Sequence, residues 1–82
     1  MRMDFFSQQL EKSIPGAKAD VTGDGSKFEA VVISDAFEGE STIKRHKMVY
    51  AVLNEHITSG AIHALTIKAH TAQEWADKQA AG

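Results

Sequence analysis

The chain lacks cysteine altogether and has one proline and one tryptophan among its 82 residues. Without cysteine it can form no disulfide, no thiolate metal site and no cysteine nucleophile, so any soft-metal chemistry must borrow thiolates from another molecule. No apolar run approaches the ~20 residues of a membrane-spanning helix. Polar residues 7–9 follow the N-terminus too soon for a secretory signal. We therefore expect a cytoplasmic protein, or one of an organelle matrix, with no membrane association.

A strong charge of either sign is also missing. The formal net charge is -2, which gives no global attraction to the phosphates of nucleic acids. The apolar fraction of 43% and the charged fraction of 24% are typical of a globular protein. A chain of this length can form one modest core. We expect a single domain over residues 1–82, with residues 79–82 frayed.

The first half of the chain predicts a helix followed by a β-hairpin. Asp4 is placed to cap a helix whose apolar residues recur at every fourth position (Phe6, Leu10 and Ile14) until Pro15-Gly16 ends it. Strands are predicted over 17–22 and 28–34, and the second is apolar on both faces, which indicates a central strand. Between them, Gly23-Asp24-Gly25-Ser26 favours a tight turn.

The second half predicts a long helix, a strand and a short helix. The long helix covers Thr42 to Thr58 and ends at Ser59-Gly60. One arc of this helix is expected to be buried: Ile43, His46, Val49, Tyr50, Leu53 and Ile57. A strand over 62–69 follows, and Thr71 to Glu74 forms a capping box for the last helix.

This α-β-β-α-β-α order predicts an α+β fold. A crossover through the long helix sets the third strand parallel to the second, which gives a three-stranded mixed sheet with helices on one face.

The histidines suggest two kinds of role. His46 falls inside the apolar arc, where an unpaired ring is costly, so we expect a structural histidine that is buried and hydrogen-bonded. His63 begins the third strand at an end of the sheet. That position suits a metal ligand, although periodicity alone also fits a structural histidine. The spacing of the four histidines does not predict an intrachain zinc site.

Three basic residues, Lys44, Arg45 and Lys47, crowd the first turns of the long helix. Positive charge is unfavourable at a helix N-terminus, which suggests a surface for an anionic partner or nucleic acid. A solvated basic face with Glu38 and Glu40 as counter-charges explains the same pattern. Both interpretations remain open at this point.

No catalytic motif is present in the chain. Glu55-His56 lacks the second histidine of a zinc protease helix, and no serine lies in a Gly-x-Ser-x-Gly turn. The glycines around Asp24 lack the third glycine and the following helix of a dinucleotide-binding loop. We therefore expect a protein that is not an enzyme.

Two blocks of sequence resemble the BolA-like protein family. The first is Phe37-Glu38-Gly39-Glu40-Ser41 followed by Ile43, Arg45-His46-Lys47 and Tyr50. The second is Ile62-His63-Ala64-Leu65 with Thr71 and Glu74-Trp75. The Asp24-Gly25-Ser26 turn looks most like the bacterial branch named for acid response. The resemblance implies a fold similar to a class II KH domain, without the Gly-x-x-Gly clamp of RNA-binding members.

The resemblance also implies a partner and a cofactor. BolA-like proteins pair with monothiol glutaredoxins around a shared two-iron, two-sulfur cluster, which the isolated chain is not expected to bind. The family's histidine ligand corresponds to His63, and glutaredoxin and glutathione supply the thiolates. The first hairpin often carries a cysteine or histidine in this family, whereas here Asp24 offers at most a weak second contact.

An alternative function implied by the resemblance is DNA-binding regulation of stress response and cell morphology. It would use Lys44, Arg45 and Lys47, and we expect such binding to be weak.

Overall fold

The computed structural model describes residues 3–24 and 27–81, with the backbone alone at residue 81. The elements follow the predicted order, with one short 3-10 turn before the long helix. They are α1 (Asp4–Ser13), β1 (Lys18–Asp24), β2 (Lys27–Ile33), the 3-10 turn (Asp35–Phe37), α2 (Thr42–Thr58), β3 (Ala64–His70) and α3 (Ala72–Ala81). The predicted α+β fold is confirmed. No helix within the described residues is long and apolar enough to span a membrane.

The sheet has the order β1-β2-β3, so β2 is central as predicted. β1 and β2 are antiparallel, and Asp24 pairs with Lys27. The antiparallel pairing confirms the predicted hairpin strands, and the predicted turn at residues 25 and 26 lies outside the described residues. β3 runs parallel to β2, with Ala64 opposite Lys27. Ile62 and His63 precede β3 and were wrongly predicted to be part of it.

α1 buries the predicted stripe of Phe6, Leu10 and Ile14 against the sheet. The prediction that Asp4 caps this helix is wrong: Met3 occupies the cap position and makes no side-chain capping bond, while Asp4 is the first helical residue. The N-terminus of α1 is instead held by tertiary contact, because the Met3 amide donates to the Val21 carbonyl at 2.7 Å.

The outer edge of β1 is closed by side chains of α1 as well. The Val21 amide donates to Ser7 Oγ at 3.0 Å, and the Ala19 amide donates to Glu11 Oε2 at 3.0 Å. Together with the Met3 bond, these contacts satisfy backbone groups that an edge strand otherwise leaves open to pairing.

α2 has the predicted bounds, and Ser41 Oγ caps it by accepting from the Lys44 amide at 3.2 Å. Beyond its end, Gly60 has φ +86°, the left-handed region that glycine enters without strain. The predicted buried arc is only partly right. Val49 and Leu53 are fully buried, whereas 70% of Ile43 and 42% of Tyr50 are exposed.

The buried side of α2 is rotated about the helix axis toward α1. Val52 packs against the core, and His56 contacts the Phe6 ring with centroids 4.6 Å apart. His56 Nε2 lies 3.0 Å from Gln9 Oε1. The position of α1 therefore decides which side of the long helix faces the core.

Helices were predicted to cover one face of the sheet, but Trp75 of α3 also reaches the other face. Side chains alternate between faces along a strand, so Val31 and Ile33 of β2 point away from the buried Val32. Trp75 lines a cavity with Val31 and Ile33 and thus reaches this second face. α3 is helical through Ala81. The expected fraying of residues 79–82 stays a prediction.

Candidate functional site

His63 lies one residue before β3 at the end of the sheet that carries the β1–β2 turn. The registers align Asp24, Lys27 and Ala64 in one row across the three strands. Strands are spaced by ~4.8 Å, so the backbones of Asp24 and Ala64 are roughly 10 Å apart. The sheet therefore brings His63 and Asp24 to the same end of the domain, although they are 39 positions apart in the sequence.

Both side chains are exposed. Within residues 3–24 and 27–81, neither the His63 imidazole nor the Asp24 carboxylate has a hydrogen bond or an ion pair that would occupy it. A buried structural histidine would need such a partner. His63 is thus free to present a ring nitrogen to a group approaching from solvent.

A shallow cavity of about 350 Å³ adjoins this end of the sheet, between β1 and β2. Asp24, Lys27 and Glu29 contribute polar groups to it, and Gly23 and Phe28 form part of its floor. A Cβ on Gly23 would come within 2.5 Å of the Phe28 ring. Glycine at position 23 therefore lets the aromatic ring lie directly against the backbone beside Asp24.

The His63 ring and the Asp24 carboxylate can supply only some of the ligands that a metal centre needs. No group of three His, Cys, Asp or Glu residues among those described could hold a metal ion. An iron-sulfur cluster with two irons takes four protein-side ligands, mostly thiolates, and imidazole can replace thiolate on iron. His63, with Asp24 as a weaker donor, fits a cluster completed by ligands from other molecules, and does not fit a resident metal site.

His46 is not the core residue predicted from the sequence. It is half-buried, and in the described part of the chain its ring has no hydrogen-bond partner. The rotation of α2 toward α1 moves this position from the core to the side of the helix, where it borders a cleft beside β3. A half-buried ring remains accessible to solvent, so it does not need the internal partner that a core histidine would require.

Arg45 is not available as a surface charge, which corrects the predicted basic patch. Only 12% of its side chain is exposed. Its Nε donates to the Glu40 carbonyl at 3.0 Å, and its Nη1 donates to the Ala69 carbonyl at 3.2 Å. Nη1 and Nη2 also donate to the two carboxylate oxygens of Glu74 at 2.6 and 3.1 Å. Arg45 therefore joins α2 to β3 and α3.

The two lysines of the predicted patch differ from Arg45. Lys44 is exposed and forms an ion pair with Glu40 at 2.9 Å, which confirms Glu40 as a counter-charge. Lys47 is exposed, and no ion pair occupies it within the described residues. The basic surface on this side of α2 consequently reduces to these two side chains.

The sequence did not identify a polar cluster at the opposite end of β3. Glu74 Oε1 accepts from the Thr71 amide at 2.9 Å, which confirms the capping box, and also from Arg45. Hydrogen bonding by Arg45, and then by the Thr71 amide, lowers the pKa of Glu74 from 4.5 to about 2. The capping pattern pointed to Glu74, but nothing in the sequence pointed to its pairing with Arg45.

His70 belongs to the same cluster. Its ring lies 5.7 Å from the Trp75 ring, centroid to centroid, and its Nε2 is buried with no hydrogen-bond partner in the described residues. Burial, and then the positive charge of Lys78, lower the pKa of His70 from its ordinary 6.5. The surroundings of this histidine therefore disfavour its protonated form.

Comparison with known proteins connects this geometry to a family. The model of the family described as BolA-like protein matches residues 7–74. This chain belongs to the BolA-like protein family. The match includes both ends of the sheet, and His63 and Asp24 lie inside it.

Relatives of this BolA-like chain occur in several bacteria. It is 45% identical over 56 residues to the acid stress protein IbaG of Escherichia coli, covering 68% of this chain and 67% of that protein. An uncharacterized protein of Acinetobacter guillouiae, from the rpoN-murA intergenic region, is 37% identical over 75 residues, covering 92% of this chain and 90% of the relative. The DNA-binding transcriptional regulator BolA of E. coli is 40% identical over 53 residues, covering 65% and 50%.

A solved structure confirms the BolA-like fold. The BolA protein homologue from Coxiella burnetii superimposes with a TM-score of 0.78 at 36% sequence identity, covering 92% of this chain and 96% of that one. The agreement extends over nearly the whole domain, so the fold of this chain is shared with that relative.

Proposed function

We propose that this BolA-like protein is a non-enzymatic, cytoplasmic partner of a monothiol glutaredoxin in iron-sulfur trafficking or iron-status signalling. In the heterodimer, His63 supplies one ligand to a shared two-iron, two-sulfur cluster. The supporting observation is an exposed histidine without an internal partner at a sheet end, on a chain that has no cysteine.

The chemistry of the donors agrees with a shared cluster. A neutral imidazole nitrogen can take the place of a thiolate on iron, as histidines do in Rieske centres. The glutaredoxin cysteine and glutathione supply the thiolates that this chain lacks. Because His63 precedes β3, the rigid sheet fixes its backbone while its side chain stays accessible to the partner.

Asp24 offers a second, weaker contact. Its row on the sheet places it two strands away from β3, the strand that begins after His63. A carboxylate is a harder ligand than a thiolate and is less suited to a cluster iron. We therefore propose that His63 provides the firm link and that the Asp24 contact is dispensable.

The direct test is to titrate a cluster-loaded monothiol glutaredoxin with the native protein and record visible absorption and circular dichroism. Exchange of a sulfur ligand for imidazole should change the spectrum. His63→Ala should abolish the change while leaving the far-ultraviolet spectrum native, because an exposed side chain contributes little packing. His46→Ala is the matched control, since it removes another partly exposed histidine that lies beside a different surface.

Two outcomes would contradict the proposal. One is a glutaredoxin spectrum that the native protein leaves unchanged. The other is a His63→Ala variant that behaves like the native protein. A further variant, Asp24→Cys, examines the second contact: a thiolate at this position should lengthen the lifetime of the shared cluster if the hairpin contacts it.

Direct DNA binding is a second candidate function, favoured by the exposed Lys44 and Lys47 on α2. The regulator BolA of E. coli is DNA-binding by its name. With Arg45 engaged inside the protein and Lys44 paired to Glu40, few charges remain to contact phosphates. We rank this function below the glutaredoxin partnership.

A further inference from the structure

The two edges of the sheet differ in how their backbone groups are satisfied. α1 covers the edge of β1 through contacts with Ala19 and Val21. At the β3 edge, the single hydrogen bond found in the described part of the chain runs from Arg45 to the Ala69 carbonyl. A strand edge whose backbone groups have no hydrogen-bond partner is a template for pairing with another strand.

The register identifies which backbone groups face outward. The His70 carbonyl accepts from the Ser34 amide at 2.9 Å, so His70 bonds toward β2. In a strand, the N–H and C=O of alternate residues point to opposite edges. Ile67 and Ala69 therefore direct theirs away from β2. Arg45 donates a hydrogen bond to the Ala69 carbonyl. The amides of Ile67 and Ala69 and the carbonyl of Ile67 are therefore left to bind a ligand.

These groups open into a cleft of about 480 Å³ between α2, the edge of β3 and α3, which we call the β3-edge cleft. Besides the Arg45–Glu74 pair, its walls include residues from all three elements: His46, Ile67, Lys68, Ala69, His70 and Lys78. The cleft combines an open strand edge with side chains that can select what pairs with it.

The charges around the β3-edge cleft favour an anion. Lys68 and Lys78 are exposed there, and the carboxylate of Glu74 is neutralised by its two hydrogen bonds to Arg45. Glu29 forms an ion pair with Lys68 at 3.6 Å and offsets part of its charge, whereas no ion pair engages Lys78 within the described residues. A locally positive groove on a chain of net charge -2 indicates a partner of opposite sign.

We propose that the β3-edge cleft binds an extended acidic segment of a partner protein, which adds to the sheet as a fourth strand. The outward amides and carbonyl pair with its backbone, and Lys68 and Lys78 contact its carboxylates. A peptide fits better than a nucleic acid because its backbone N–H and C=O groups repeat at the same spacing as those of the strand edge. The lining also has no Phe, Tyr or Trp for base stacking.

This surface is separate from the proposed cluster site. His63 precedes β3 and lies four residues before Ile67, so it is about 13 Å along the strand from the nearest pairing position. The peptide proposal does not depend on the glutaredoxin partnership, and each can fail without the other.

The test uses ¹⁵N-labelled full-length protein and a five-residue peptide that alternates glutamate and valine, with both ends blocked. Binding should shift the amide signals of Ile67 and Ala69 and slow their exchange with solvent. A glutamate–proline peptide of equal charge should bind much more weakly, because proline has no N–H to donate. A lysine–valine peptide should not bind.

Lys78→Glu and Lys12→Glu form a matched pair, because each lysine lies in the last turn of a helix. Charge reversal costs each helix a similar dipole interaction, but Lys78 alone lines the cleft. Lys78→Glu should weaken peptide binding by about three- to tenfold, and Lys12→Glu should not.

Four results would overturn the proposal. They are equal binding of the proline peptide, no binding of the glutamate–valine peptide, signal changes remote from Ile67 and Ala69, and preferential binding of a thymidine oligonucleotide in the cleft.

Discussion

Arg45 and Glu74 form a two-pronged ion pair that links α2 to the cap of α3, with N–O distances of 2.6 and 3.1 Å. Charged groups paired in this planar geometry make the strongest hydrogen bonds of a protein surface. The same arginine holds the Ala69 carbonyl, and the same carboxylate accepts from the Thr71 amide. These two residues therefore fix where the last helix begins relative to the sheet.

This pair predicts a loss of stability in acid. The pKa of Glu74 is lowered from 4.5 to about 2 in the folded chain by the Arg45 hydrogen bond and then by the Thr71 amide. The unfolded chain thus takes up a proton first as pH falls. The contribution of Glu74 is complete above about pH 4.5 and is lost progressively as pH falls toward 2.

Urea melts at pH 7, 4 and 2.5 measure this effect. Glu74→Gln should be less stable than the native protein at pH 7, and the difference should shrink at pH 2.5. Asp77→Asn is the control on the same helix, because within the described residues the Asp77 carboxylate bonds only to the exposed Gln73. A difference between native protein and Glu74→Gln that stays constant with pH would contradict the assignment.

The lowered pKa of His70 predicts that the free energy of unfolding also depends on pH near neutrality. Its pKa is lowered from 6.5 by burial and then by Lys78, with smaller effects of Arg45 and Lys68, against which Glu74 acts to raise it. The unfolded histidine therefore binds a proton before the folded one. Stability should be full above about pH 6.5 and fall as pH drops below it, until the folded ring is protonated too.

His70→Phe retains an aromatic contact for Trp75 and removes the titration. Its unfolding free energy should change less than that of the native protein between pH 7.5 and 5.5. A proton titration of the native protein followed by NMR should give a His70 midpoint below 6.5. A midpoint above that value would show that the buried ring accepts charge.

Gly23→Ala should destabilise the hairpin beside the candidate site. The added Cβ would lie 2.5 Å from the Phe28 ring, which is 8% exposed and contacts Phe6. Overpacking of this kind costs about 1 to 3 kcal/mol. Thermal or urea unfolding of Gly23→Ala, Phe28→Leu and the double variant gives a mutant cycle. The smaller leucine should relieve part of the alanine effect, and purely additive losses would exclude the contact as the cause.

DNA binding, where it occurs, should be weak and depend on two lysines. We expect a Kd on the order of 10⁻⁵ M at physiological salt, and Lys44→Ala/Lys47→Ala should reduce the salt slope by about two. Titration of a labelled duplex at two salt concentrations tests this, with Lys12→Ala/Lys18→Ala as the control of equal charge. Tight, sequence-selective binding that ignores the Lys44 and Lys47 changes would reverse our ranking of functions.

Local sequence patterns predicted only part of the candidate site. The sequence placed His63 at a strand end and Asp24 in a hairpin, and its family resemblance associated them with one cluster. Only the pairing of Asp24, Lys27 and Ala64 shows that the two positions share one end of the sheet. The charge pattern of α2 could not show that Arg45 is internal, because its partner Glu74 is 29 positions away.

Local sequence patterns predicted the order of the elements, the bounds of α2 (Thr42–Thr58) and the buried stripe of α1. These features depend on capping, turn chemistry and periodicity, which act over a few neighbouring residues. The tertiary structure alone decided which side of α2 is buried, because α1 and β3 select one part of a broad apolar arc. It also left Ile43 and Tyr50 exposed and gave β3 an open edge, since contacts between distant residues set both.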